Sequence, residues 1–282
     1  MVIIADLLDP KNDYVFKRIF GHSGNEEITK SLLTSIIPDK IKEIELDCNP
    51  ITEKDLLDDK VGILDIKAKL NNNINCNIEM QVCDYKDIEK RLLFYWSKIY
   101  SSSIKSGKPY SKLERTIVIL ISDYNLEKLR KIPEYITKWN IRGEKYQKII
   151  LTDVLEIYII ELDKAKVSKI KENDVLESWL QFINNPEEKN SMENQEIKKA
   201  KKVLKEISAD EHERWLSEMR EKYIRDQHAI EAAGYDKGLE AGIEQGIEKN
   251  KIEIVKRMKQ KGFELVTIME ITGLSEDEIN KI

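Results

Sequence analysis

Val61 to Gln81 reads VGILDIKAKLNNNINCNIEMQ, two apolar-rich runs joined by three consecutive asparagines. Asparagine tolerates the left-handed backbone of tight turns, so the stretch is expected to form a β-hairpin turning at Asn71, Asn72 and Asn73. Residues two apart on a strand share a face, which puts Glu79 and Gln81 together. With the turn centred on Asn72, Asp65 lies directly opposite Glu79, because the two are equidistant from it. Opposed side chains share a face, with Cβ atoms only ~5 Å apart. Two carboxylates that close repel, and a strand pair selected for stability alone would avoid them. A divalent cation reverses the sign of that interaction, and hard Mg2+ takes carboxylate oxygens plus waters. The other reading makes Asp65 an exposed residue paired with Lys67 or Lys69, and Glu79 a surface charge. Spacing leaves both open, since a register slip or a bulge would separate the pair.

Working outward, DPKNDYVFKRIFG reads as a short helix with Val15, Phe16, Ile19 and Phe20 on one stripe and Gly21 as its stop. A second helix is expected from Asn25 to Ile37, ahead of Pro38. Ile41, Ile44 and Leu46 suggest a strand reaching about Ile51. Beyond the hairpin, a long helix from Tyr85 to Ser106 carries Leu92, Leu93, Trp96, Ile99 and Tyr100, with Gly107 as its cap. RTIVILISD, from Arg115, is continuous and β-branched, as a central strand covered on both faces requires. Another strand is expected from Glu156 to Leu162. Residues 1–165 therefore read as an α/β domain with a mixed sheet flanked by helices. Residues 166–195 read as a helix and a polar linker, NNPEEKNSMENQ, and residues 196–282 as an all-helical C-terminal region. There the stretch from Glu196 to Ala233 is charge-laced with a thin apolar stripe (Val203, Leu204, Ile207, Trp215, Leu216, Met219). A tail of three short helices follows, broken at Gly262 and Gly273, with Ser275 and Glu278 forming a capping box.

The chain has 282 residues, 41% hydrophobic and 35% charged, enough for a sizeable core and about two domains. Its 47 Lys and Arg nearly balance 52 Asp and Glu, a formal charge of −5. That excludes a histone-like basic protein and an acidic disordered tail, but a basic face can hide inside a balanced total. Three cysteines without a C-x-x-C pair exclude a disulfide framework and a zinc ribbon. His22, His212 and His228 have no metal-site spacing and read as surface residues. The first residues lack the basic and long apolar parts of a signal peptide, and the longest apolar run, Ile117 to Ile121, is too short to span a bilayer. A soluble cytoplasmic protein with no membrane partner is expected.

LDIKAKL, NNNINCN and IEMQ together resemble the D-(x)n-E-x-Q form of the PD-(D/E)XK nuclease superfamily. With the opening KNDYVFKRIFG, the pattern is similar to the Rpn family of recombination-promoting nucleases and putative transposases. RLLFYWSKIYSSSIKSGKPYSKLERTIVILI matches that family's helix, G-x-x-Y turn and strand, and the spaced glycines ending in TGLSEDEI resemble its C-terminal part. The resemblance covers nearly the whole chain. It implies a restriction-endonuclease-like core and metal-dependent DNA endonuclease activity linked to recombination, mobile elements or phage defence. The alternative is a catalytically degenerate nuclease fold that binds DNA or a protein partner. By position, Asp65 and Glu79 become ligands of Mg2+, with Mn2+ or Ca2+ as other candidates. Gln81 takes the place of the superfamily's usual lysine, a departure that removes a positive charge. Asp13 resembles an extra acidic position placed over the metal, and otherwise reads as a helix-start acid. Lys67 could supply the missing charge. Lys17, Lys67 and Arg91 are candidate contacts to DNA phosphates, with Arg18 beside Lys17; solvated surface charge is the other reading of Lys17 and Arg18, whereas Tyr95 and Trp96 read as packing residues.

Gly234, Gly238, Gly242 and Gly246 recur every fourth residue. Each glycine inside a helix costs up to ~1 kcal/mol against alanine. Small residues at this spacing let two helices approach closely, and the segment is too charged for a membrane. A homodimer contact is one reading and a flexible linker the other.

Overall fold

Asn71 and Asn72 adopt φ of 49° and 63°, the left-handed conformation expected of them. The computed structural model describes residues 6–48, 65–84, 87–167, 175–188 and 194–282. On either side of the turn, β2 (Ile66–Leu70) and β3 (Ile74–Gln81) pair antiparallel, with Leu70 opposite Ile74 and Lys67 opposite Asn77. The turn is therefore centred on Asn72, and one more step along the register sets Asp65 against Glu79.

The hairpin belongs to a six-stranded sheet of order β1-β2-β3-β4-β6-β5. Strand β1 (Ile44–Leu46) flanks β2 antiparallel, β4 (Arg115–Ser122) and β6 (Leu155–Glu161) continue parallel to β3, and β5 (Ile136–Trp139) closes the edge antiparallel to β6. Strand β4 is buried from Thr116 to Ser122, as its unbroken apolar sequence requires.

Alternation along the strands gives the sheet two different faces. Ile66, Ala68, Ile78 and Ile119 join the main core with residues of α1 (Asp13–Phe20), α2 (Glu26–Ile36), α5 (Val175–Asn184) and α6 (Gln195–Ala209). On the other face, Val118, Leu120, Ile157 and Ile159 cluster with Ile88 and Leu92 of α3 (Ile88–Ser102). Helix α3 makes the crossover that the parallel pair β3 and β4 needs. Trp96 on α3 donates from Nε1 to the Thr116 carbonyl at 3.1 Å. A short helix, α4 (Leu162–Val167), follows β6.

Several boundaries differ from expectation. The first strand ends at Leu46, while Cys48 is the last described residue before positions 49–64, so Ile51 and the start of the hairpin arm at Val61 lie outside the described residues. Tyr85 does too, and α3 runs from Ile88 to Ser102 rather than to Ser106. Edge strand β5 has four residues, too few for its alternation to stand out in sequence. The first compact unit extends to Tyr223 rather than stopping near residue 165. The reason is burial: Trp179 of α5 is fully buried, with its ring 5.5 Å from Phe20 and 6.0 Å from Phe182. The charge-laced helical stretch from Glu196 is divided into two helices. Asp210 ends α6, and its Oδ1 accepts from the Glu213 amide at 2.9 Å to start α7 (Glu211–Gln260). That D-x-x-E spacing is a legible helix start.

The second unit begins at Ile224 with the rest of α7, followed by α8 (Leu265–Thr272) and α9 (Glu276–Lys281). Val255, Met258, Ile268 and Ile279 form its small core. Gly262 and Gly273 take φ of 76° and 68° at the two expected breaks, and Ser275 and Glu278 form the expected capping box.

Replacing Trp179 by alanine tests whether α5 belongs to the core. Truncating a fully buried tryptophan should remove about 3–5 kcal/mol of stability, read as a lower urea midpoint. A loss under about 1 kcal/mol would place α5 outside the core.

Candidate active site

In β3 apolar residues 74, 76, 78 and 80 alternate with polar residues 75, 77, 79 and 81. The polar row belongs to the α3 face, yet most of it is dry: Asn77, Glu79 and Gln81 are 0%, 2% and 8% exposed. Asp65 is 7% exposed. The reading of Asp65 as an exposed strand residue and Glu79 as a surface charge therefore fails, and the register brings the pair together in a buried setting. Lys69 instead binds Glu114, with Nζ 3.0 Å from Oε1.

Asn77 Nδ2 donates to Asp65 Oδ2 at 3.2 Å, and Asn77 Oδ1 has no hydrogen-bond partner among the described residues. Glu79 Oε1 lies 3.0 Å from Nη2 of Arg91, near the start of α3. The Arg91 guanidinium carbon lies 5.4 Å from the Tyr95 ring centre. Lys17 of α1 is also buried, and Lys67 is exposed on β2. Burial pushes the Asp65 carboxyl up to about 6, against the Asn77 hydrogen bond and the charges of Arg91, Lys67 and Lys17. Burial also raises the Tyr95 hydroxyl; Arg91 opposes that shift, while Glu79 and Asp65 add to it. Asp65 borders a groove of about 620 Å3 that it shares with Lys67, Asn77, Tyr95 and Lys98.

Asp13 has a different setting. Its Oδ2 accepts from Arg220 Nη2 at 2.7 Å, and both its oxygens lie 3.0 Å from Arg220 Nε. Arg220 is 5% exposed. The pair ties α1 to the first turns of α7 one turn ahead of Lys17. Arg18, expected at phosphate, is held by Glu213, with Nη2 2.6 Å from Oε1. Among the described residues, no three His, Cys, Asp or Glu side chains gather as a metal site.

Two hard carboxylates on neighbouring strands, beside an amide oxygen that lacks a partner, are a donor set for a divalent cation. Residues 10–233 match the family described as PD-(D/E)XK nuclease family transposase. The chain belongs to that family. The mixed six-stranded sheet between helices is the PD-(D/E)XK nuclease-like fold. Residues 248–282 of this PD-(D/E)XK protein match the Rpn/YhgA-like nuclease family, C-terminal HTH domain, and cover the end of α7 with α8 and α9. No curated protein and no solved structure matches the chain. Among the described residues no helix is long and apolar enough to cross a membrane.

Asn77, which donates to Asp65, is not singled out by the sequence, although it lies in the polar row of β3. Arg91, expected as a phosphate contact, lies against Glu79 in this structure. Nothing local marks that contact, because it depends on how α3 is rotated over the sheet.

Burial of Asp65 has a consequence for stability with a definite sign. Its folded pKa lies above the ordinary value of 3.8, so the folded state holds the proton more tightly, and this contribution is lost as pH rises from about 4 through about 6. Asp65→Asn cannot ionise and escapes that loss. In metal-free buffer the variant should match the parent near pH 4 and exceed it at pH 7.5 by on the order of 2 kcal/mol. Urea melts at both pH values measure this, and parallel pH profiles would refute it.

Proposed function

We propose that the protein is a divalent-cation-dependent DNA endonuclease serving recombination, mobile elements or phage defence. The observation that carries this reading is the buried opposition of Asp65 and Glu79, with Gln81 on the same face, in a chain of the PD-(D/E)XK nuclease family. Asp65 and Glu79 would hold Mg2+, or Mn2+ or Ca2+ in its place, with the Asn77 side-chain oxygen beside them. When bound, the cation supplies Lewis-acid polarisation of a phosphoryl oxygen and offsets charge on the leaving oxygen.

The chain's own residues do the rest. The Gln81 amide orients the attacking water by hydrogen bonding, since it has no charge to lend. Lys17, Lys67 and Arg91 provide positive charge for the DNA backbone, giving salt-dependent and largely sequence-independent binding at the core. Asp13, expected to assist a second cation or its hydration shell, serves here by anchoring α1 through Arg220 and so keeping Lys17 in place. The helix-turn-helix match of the last residues supports DNA as the partner. A second reading, a nuclease fold that binds without cutting, is favoured by Arg91 already neutralising Glu79.

Self-association belongs to the same proposal. Gly238, Gly242 and Gly246 lie in α7, and apart from the helix's own backbone no atom of the described residues comes within 4 Å of where a Cβ would stand. Tyr235, Leu239, Ile243 and Ile247 repeat at the same spacing and are at least half exposed. A helix that combines glycines with an uncovered apolar stripe is stabilised by a close partner, and a second copy would bring two cutting sites together for a double-strand break.

Plasmid nicking by the full-length protein should require Mg2+ or Mn2+ and stop with EDTA. Asp65→Ala and Glu79→Ala should each abolish it while the fold persists. Nicking at the parental rate by either variant would remove the acidic pair from the mechanism.

Changing both Gly238 and Gly242 to leucine raises helix propensity by about 1 kcal/mol per site while placing side chains where backbone would meet backbone. Sedimentation should show a parental dimer and a monomeric variant that still nicks but makes fewer double-strand breaks. An unchanged mass would rule out this contact.

A further inference from the structure

Arg91 sits where the proposed chemistry and the observed contacts compete. Its Nη2 lies 3.0 Å from Oε1 of Glu79, a side chain 3% exposed, while Arg91 itself keeps 23% of its side chain exposed. Its charge also reaches Asp65. One guanidinium thus acts on both carboxylates that would hold a cation. A metal ion bound by Glu79 would bring a second positive charge to the carboxylate that Arg91 already faces, and two cations sharing one buried carboxylate repel strongly in a setting that screens little. Arg91 also stacks near Tyr95, which borders the groove beside Asp65. That aromatic contact gives the guanidinium a second hold on α3 once Glu79 is taken. Position 81 contributes only a neutral amide, so the strand row supplies no cation for a phosphate.

We propose that Arg91 exchanges partners: it is the counter-ion of Glu79 in the metal-free protein, and when a divalent cation displaces it, it becomes the cation that grips the scissile phosphate. The proposal rests on the nuclease reading. A guanidinium suits both tasks, because its planar fork matches carboxylate and phosphate alike. The exchange keeps the buried carboxylates neutralised in the apo protein and releases the phosphate-binding group only when the cation has arrived.

The signature is a pair of effects with opposite signs. Removing Arg91 takes away the metal's competitor, so cation affinity should rise. It also removes the phosphate contact, so cleavage should fall. A residue that merely supports the fold would weaken both.

The test uses the full-length protein and Mn2+ as the probe, with calorimetric titration in the absence of DNA and plasmid nicking in its presence. Arg91→Met should bind Mn2+ about tenfold more tightly than the parent, and nick about 10²-fold more slowly. If Arg91→Met does not fold, Arg91→Gln replaces it with the same expectations, since it keeps a hydrogen-bond donor for Glu79. Asp65→Ala should bind no Mn2+ at this site. Parental binding with no tightening in the Arg91 variant overturns the exchange alone. Absence of Mn2+ binding from the parent and the Arg91 variant together overturns the nuclease reading, and the exchange with it.

Discussion

Two carboxylates, Asp65 and Glu79, face each other across a β-ladder at a place almost closed to water. Burial disfavours each charge and proximity adds repulsion, so the pair persists only because its surroundings are built to hold it. Asn77 donates to Asp65, Arg91 reaches Glu79 from α3, and the charges of Lys67 and Lys17 act on Asp65 from β2 and α1. Four positions on four elements, β2, β3, α1 and α3, converge on two side chains. The arrangement spends stability on a local electrostatic problem that a cation can solve.

That convergence explains the division of labour between the two faces of the sheet. One face is sealed by α1, α2, α5 and α6 with an apolar core that includes Trp179, Phe16 and Phe20. It anchors the strands that carry a buried polar row on the other side. The second face is covered by α3, whose Ile88 and Leu92 pack on the parallel strands while Arg91 and Tyr95 turn to the acidic pair. Helix α3 is thus packing element and electrostatic partner at once, and its rotation over the sheet sets both.

The hairpin and its register were legible because three asparagines fixed the turn and equal distances did the rest. Strand β4 was legible from an unbroken apolar run, and the tail from its two glycines and its capping box. The core's true extent was not, because the polar linker between α5 and α6 looks like a domain boundary although Trp179 and Leu204 are buried in the main core. Sequence shows Asp13 as an acid at a helix start and cannot display its partner 207 positions away, Arg220. Arg91 is closer in sequence to Glu79, but its partner is chosen by helix packing rather than by spacing. Local pattern carries strand register well and carries contacts between layers poorly.

The loop Asn71–Asn73 acts as a ruler for the whole site. It lies several residues from Asp65 and Glu79, yet its length decides which residues end up opposed. Side chains alternate faces with period two, so one residue added to or removed from either arm of the hairpin between the turn and the site would send Asp65 or Glu79 to the opposite side of the sheet. The displaced carboxylate would arrive in the apolar layer under α1, where Ile66 and Ile78 now sit. The site is therefore less exposed to most substitutions in this hairpin than to a change in its count. A length change there would erase the acidic pair without altering any of the residues that compose it.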